Sequence, residues 1–377
     1  MKKSLFFTMI AILMALPPHA ANAAGPPDIR VLVIGDAAAI SIDGLGFELK
    51  AGPHGSRQKA EFGKKLVIRA DGKNLIANGK DVGPSLVVTS RERQYGLGDR
   101  TFGGELYIYS KPPGSMIIVN KIPLEKYLVG IVGSEISPTW PIESIKAQVV
   151  AARTYAMNKM EAPSASVPKR LYDVTSTVSS QVYHGSHVED ARSAAAVRET
   201  SGEVLMKDGK IFPAYYHSCC GGKTENAHNV WDGETGPPLV EDSFCARSPA
   251  FRWRYSISER DFVKRLSDSG FSIARVQSVA TTILSDSPRV QFLLVEDGSG
   301  LQMIDARDLR KIFGHTNIKS TWFEVRIVKG SLEFSGKGYG HGVGMCQWGV
   351  KGMADEGRGY RDILKFYYSD AEIKRAY

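Results

Sequence analysis

The sequence predicts an α+β fold, with a β-rich part over residues 24–110 and a mixed α+β region over residues 111–377. Three observations carry that expectation. Short apolar runs of strand length, set apart by Asp-Gly and Asn-Gly turns, fill the stretch from Ile29 to Tyr109. A long helical pattern follows Leu124. Further on, helix and strand patterns are mixed without the regular βαβ alternation of a parallel sheet.

The elements follow in order. Residues 1–23 read as a secretory signal peptide. Met1-Lys2-Lys3 is a basic start, Leu5 to Leu16 is largely apolar, and Ala21-Asn22-Ala23 fits the small-x-small cleavage rule. No cysteine stands near that point, and no later segment reaches about eighteen uninterrupted apolar residues, so an exported chain without a transmembrane anchor is expected. "IRVLVIG", "KLVIRA" and "SLVVTS" read as strands between the turns Asp43-Gly44, Asp71-Gly72 and Asn78-Gly79. "ELYIYS" and "SMIIVN" form a further strand pair around Pro112-Pro113-Gly114. In the helical region, Pro141 suits a first helical position and Glu143 the first turn. Ile142, Ile145, Val149, Ala152 and Ala156 then follow the spacing of a buried stripe. Residues 161–170 are a loop. Residues 211–231 read as a strand running into a glycine turn, "ERDFVKRLSDSG" as a helix, "VQFLLVE" and "FEVRIVK" as strands, and "YRDILKFYY" as the final helix.

The formal charge of +8, less the two lysines of the leader, is +6. This mild excess suits polyanionic cell-wall polymers, but no dense Lys/Arg run argues for nucleic acid. The four cysteines, Cys219, Cys220, Cys245 and Cys346, would meet an oxidising compartment after export. They allow three pairings. A zinc site built from His217, Cys219 or Cys220, His228 and Cys245 is the rival reading, although no CxxC spacing supports it.

Two stretches bear on chemistry. "GYGHGVGMCQWG" (338–349) places glycine at every second position, which marks either a packed turn or a surface where a ligand lies against bare backbone. Its spacing fits neither the dinucleotide fingerprint nor the phosphate loop. In "VGSEISPTWP", Glu135 sits among small residues near Trp140. A carboxyl beside apolar rings holds its proton to higher pH and can protonate a glycosidic oxygen, yet most glutamates simply face water.

"LEKYLVGIVGSEISPTWPIESIKAQVVAARTYAM", "YYHSCCGGKTE" and "GKGYGHGVGMCQWGVKGMADEGRGYRDILKFYY" together resemble the SpoIID/LytB family, from about Asn120 to the C-terminus. The resemblance implies action on bacterial peptidoglycan: lytic cleavage of glycan strands stripped of stem peptides, or, as the alternative, stimulation of a cell-wall amidase without catalysis. It makes residues 111–377 the catalytic region and Glu135 the catalytic acid. It puts Lys146, Arg153, Gln181, His217, Lys223, His341 and Gln347 on the substrate. Ile136 replaces the family's usual Met and Cys346 its frequent Ser. Some relatives bind zinc in the segment matching "DVTSTVSSQVY"; Thr175, Ser179 and Ser180 stand there instead, so no metal and no other cofactor is expected. Cys220 and Cys245, at either end of one loop, are the expected disulfide. Glu225 is the candidate second acid if the enzyme were a plain hydrolase, a chemistry that needs two carboxylates.

Overall fold

A computed structural model describes residues 25–377 apart from 53–56, 60–63, 163–169 and 187–189. The expected signal peptide and most of the expected 161–170 loop lie outside the described residues. Two sheets form the first part, antiparallel throughout except for the parallel pairing of Val174–Thr175 with Asp28–Ala37. In the larger, the strands lie in the order Val174–Thr175, Asp28–Ala37, Ser115–Pro123, Glu105–Lys111, Ser85–Ser90, Phe47–Ala51 and Arg57–Lys59. In the smaller the order is Arg100–Gly103, Gln94–Leu97, Ala39–Asp43, Lys65–Asp71, Asn74–Ala77 and Lys80–Asp81. Strand alternation explains the packing: Ile29, Val31 and Val33 point inward from one strand, Leu66 and Ile68 from another. The expected hairpin pairs Glu105 with Lys121 and closes at Lys111 and Ser115. The expected boundary at residue 110 therefore falls inside a strand. One core runs across it, from Ile29 to helix residues as late as Val197.

Seven α-helices occur among the described residues: α1 (Leu124–Glu135), α2 (Ile142–Glu161), α3 (Ala191–Glu199), α4 (Glu259–Asp268), α5 (Ala306–Phe313), α6 (Gln347–Asp355) and α7 (Tyr360–Tyr367). α1 and α2 each begin just after a proline, which lacks the N–H a helix start would leave unpaired. α2 carries the predicted stripe: Ile145, Val149, Ala152 and Ala156 are fully buried against the sheets. Its other face is buried as well. Ala147, Val150 and Ala151 enter a second core with α6 and α7. Each large aliphatic side chain so placed contributes about 1.5–3 kcal/mol. A helix buried all round can keep a cation only by pairing it, and this decides the fate of Arg153 below.

A third core lies within residues 253–334. There Arg252–Ser258, Ser331–Lys337 and Phe323–Val328 form one sheet, Ser278–Ile283, Val290–Glu296 and Leu301–Asp305 another, and α4 and α5 contribute Phe262, Leu266, Leu309 and Phe313.

Candidate active site

Glu135 is the last residue of α1 and is half-buried. Its Oε1 accepts the Val182 backbone N–H at 2.9 Å, and its Oε2 faces the Gln347 amide Nε2 at 3.4 Å. The Tyr216 hydroxyl also bonds the carboxyl. Burial raises the Glu135 pKa above the ordinary glutamate value, while these three donors favour the anion and pull the other way. No carboxylate is among the groups bonded to it. Behind it, Gln181 is fully buried: its amide donates to Tyr216 Oη at 3.1 Å and to the Ala152 carbonyl, and its Oε1 accepts from Tyr127. Gln181 thus orients Tyr216 and has no face left for a substrate, which corrects its expected role. Trp140 and Trp348 meet edge to face at 5.2 Å between ring centroids, carried by the same segments as Glu135 and Gln347. Both rings are half-buried.

Other expected substrate ligands are engaged by the protein. The Arg153 guanidinium has no exposure and grips Glu125 with two hydrogen bonds, 3.0 and 2.8 Å, and the Glu203 carbonyl with a third. It holds α2 to its neighbours and does not face a ligand. Lys146 bridges Glu143 at 2.9 Å and Glu199 at 2.8 Å. Lys223 pairs with Glu241 at 3.4 Å and keeps partial exposure. His217 is buried, its Nδ1 on the Val343 carbonyl at 3.1 Å, and burial together with Arg289 pushes its pKa down to about 4. Glu225 is buried among the Asn226 N–H, Asn229, Ser287 and Arg289, so it is not a free second acid.

The glycine turn has an internal explanation. Gly338, Gly340, Gly342 and Gly344 all have positive φ. At Gly344 a side chain would strike the Tyr215 carbonyl, and at Gly338 those of Cys219 and Cys220. The protein's own backbone fills the space that a sugar chain was expected to occupy. His341 uses both ring nitrogens on main chain: Nδ1 accepts from Val343 N–H at 3.0 Å, which leaves Nε2 to donate to the Tyr216 carbonyl at 3.0 Å. Burial and the neighbouring His217 hold its pKa well below the usual histidine value, so it is neutral. Its ring packs 4.9 Å from Trp231. His341 locks the turn, and Gln347 alone from this stretch reaches the carboxyl.

The SpoIID family model, described as stage II sporulation protein, matches residues 113–206. The chain is 33% identical over 261 residues to an uncharacterized protein of Brachyspira hyodysenteriae, covering 69% of this chain and 68% of that one. It is 31% identical to the stage II sporulation protein D of Bacillus amyloliquefaciens, covering 68% of this chain and 76% of that one. The chain belongs to the SpoIID/LytB family. An amidase enhancer of Bacillus subtilis is 28% identical over 64% of this chain and only 39% of its own length. A second model, of a domain of unknown function, matches residues 226–344, which take in the whole of the third core. Within this SpoIID/LytB chain, Tyr216, the Val182 N–H and the contact of Trp348 with Trp140 are the features that the sequence did not single out, whereas Trp140 itself was read beside Glu135. The signal for Tyr216 was its place one residue before His217 in a quoted motif.

Proposed function

We propose that the chain is an exported peptidoglycan lytic transglycosylase in which Glu135 serves first as acid and then as base. The supporting observation is a half-buried carboxyl with a raised pKa, three hydrogen-bond donors and no bonded carboxylate partner. Protonated Glu135 gives its proton to the glycosidic oxygen after N-acetylmuramic acid as the anomeric C–O bond breaks. The carboxylate then takes the proton of that sugar's own 6-hydroxyl as the hydroxyl oxygen bonds to the anomeric carbon. The product is a 1,6-anhydro ring, and Glu135 ends protonated as it began. One carboxyl is sufficient, whereas ordinary glycosidases use two. Tyr216, Gln347 and Val182 N–H stabilise the anion between the two proton transfers.

The second reading, supported by likeness to the amidase enhancer, is a wall-binding protein that stimulates an amidase. The test is release of soluble fragments from glycan strands stripped of stem peptides, with no amidase present. The proposal expects release by the unaltered chain and none by Glu135→Gln. If neither releases fragments and both accelerate an amidase equally, the enhancer reading stands.

A further inference from the structure

Cys220, Asp242, Cys245 and Cys346 bring one ligand atom each to within 4.8 Å of one another, and all four residues are buried. Cys220 Sγ lies 3.5 Å from Cys245 Sγ and 3.2 Å from Asp242 Oδ2. They come from three separate stretches: the Cys219-Cys220 segment, the loop through residues 242–245, and the residue that caps α6. The zinc reading drawn from the sequence took Cys219 or Cys220 with Cys245 but completed the set with His217 and His228 rather than Asp242 and Cys346. His217 bonds the Val343 carbonyl, and His228 is exposed beside Asp286.

We propose that these three thiols and one carboxylate form a structural zinc site. The dimensions fit. With Zn–S of about 2.3 Å and Zn–O of about 2.0 Å, a tetrahedron has S···S edges of about 3.8 Å and S···O edges of about 3.5 Å. The two measured spacings lie within a few tenths of an ångström of those edges. The chemistry of the surroundings also fits. Asp242 is fully sequestered, and the groups bonded to it, Tyr367 Oη at 2.9 Å, Phe244 N–H at 2.9 Å and Cys220, include no cation. A buried carboxylate without a cation is costly, and buried charges are paired or coordinate metals. The nearby Arg289 is not bonded to Asp242: its Nη2 donates to the Cys220 carbonyl and its Nε lies 3.6 Å from Glu225. Backbone N–H groups already point at the sulfurs: Cys220 N at 3.2 Å and Gly349 N at 3.4 Å from Cys346 Sγ, and Gly222 N at 3.4 Å from Cys220 Sγ. Such donors, with Tyr367 on the carboxylate, are the outer shell that orients ligands and favours thiolate over thiol. Gly349 has no room for a side chain, because one would strike Tyr367 Oη and Asp242 Oδ2.

On binding, the three thiols release their protons. Four protein ligands leave no open position, so the site is structural and not catalytic. It would pin the turn that presents Gln347 to Glu135, since Cys346 is the preceding residue. A Cys220–Cys245 disulfide, by contrast, would use two of the four groups and leave Asp242 and Cys346 without a cation.

The test is elemental analysis of the full chain purified without chelator, with cobalt(II) exchanged for zinc in a parallel sample. The proposal expects one zinc per chain, thiolate-to-cobalt charge-transfer absorption with a tetrahedral ligand-field spectrum, and a Tm lowered by chelator and restored by zinc. Cys346→Ser should weaken zinc binding by at least about tenfold in chelator competition. Cys219→Ser, which removes a neighbouring thiol outside the set, should bind zinc as tightly as before. A metal-free chain with a Cys220–Cys245 disulfide on unreduced peptide mapping overturns the proposal. So does a chain whose zinc survives Cys346→Ser and is lost in Cys219→Ser.

Discussion

Glu135 carries opposite demands. Burial favours its protonated form, and Val182 N–H, Tyr216 and Gln347 favour the anion. A group that gives a proton and then takes one back needs both. Glu135→Gln removes the proton and keeps the shape, so glycan cleavage should fall at least about a hundredfold. Its effect on stability should be opposite in sense. Because the folded pKa is raised, protonation of Glu135 contributes stability that is complete below the unfolded value of about 4.3 and is lost as pH rises through the folded value. At pH 7, above the unfolded value, the raised pKa is a net cost to folding, so the Gln variant should melt at or above the unaltered chain there, and the gap should close below about pH 4. A Tm that drops at pH 7 contradicts this. Gln347→Ala removes a donor to the anion. Its Glu135 should hold the proton to higher pH, and the alkaline limb of the cleavage profile should move up. A limb that moves down would show that Gln347 does not act on the carboxyl. The sequence named Glu135 and Gln347 but not how they meet, because the contact spans 212 positions, and the Val182 donor stands 47 away. Side-chain type is local information, whereas these contacts depend on how α1, α6 and the 181–183 segment pack.

At the scale of elements, the glycine turn and α2 show what periodicity can and cannot reveal. The stripe on α2 was legible because its apolar residues recur at helical spacing. Its second buried face is made of small residues, Ala147 and Ala151, with Val150, and the identity of the partner, α6 and α7, is not written in α2 itself. For that reason the burial of Arg153, which was expected on the substrate, was not legible. α6 was hidden by Gly349 and Gly352, which lower helix propensity but let the helix approach Tyr367, Asp242 and Phe244 closely. In the turn, His341→Ala removes two hydrogen bonds between ring and backbone, and leaves the Val343 N–H and the Tyr216 carbonyl without those partners. The expected loss is about 1–3 kcal/mol of stability, read as a lower Tm, with cleavage per folded molecule little changed. A variant that keeps its Tm and loses cleavage would put the ring on substrate instead.

Across the whole molecule, Glu135 and Gln347 come from segments packed on two different cores, α1 on the first and α6 on the second. The β-rich front was legible from strand patterns and turns, and the mixed class of the remainder from its irregular order. The extent of each core was not legible, because the larger sheet closes through Val174–Thr175, far along the chain from its neighbour Asp28–Ala37. The third core, residues 253–334, packs its own aromatics and looks outwardly like any small α+β unit, so nothing in its pattern announced its independence. On the proposed reading, one acid, the neighbouring Trp140–Trp348 pair and no bonded second carboxylate predict one kind of product. The most direct measurement is the mass of the ends formed from peptide-stripped glycan strands cut in heavy-oxygen water. Intramolecular attack by the 6-hydroxyl predicts 1,6-anhydro ends, one water lighter than a reducing end and free of the heavy isotope. Reducing ends that carry the heavy oxygen would show hydrolysis by a second, unrecognised base and contradict the single-carboxyl account.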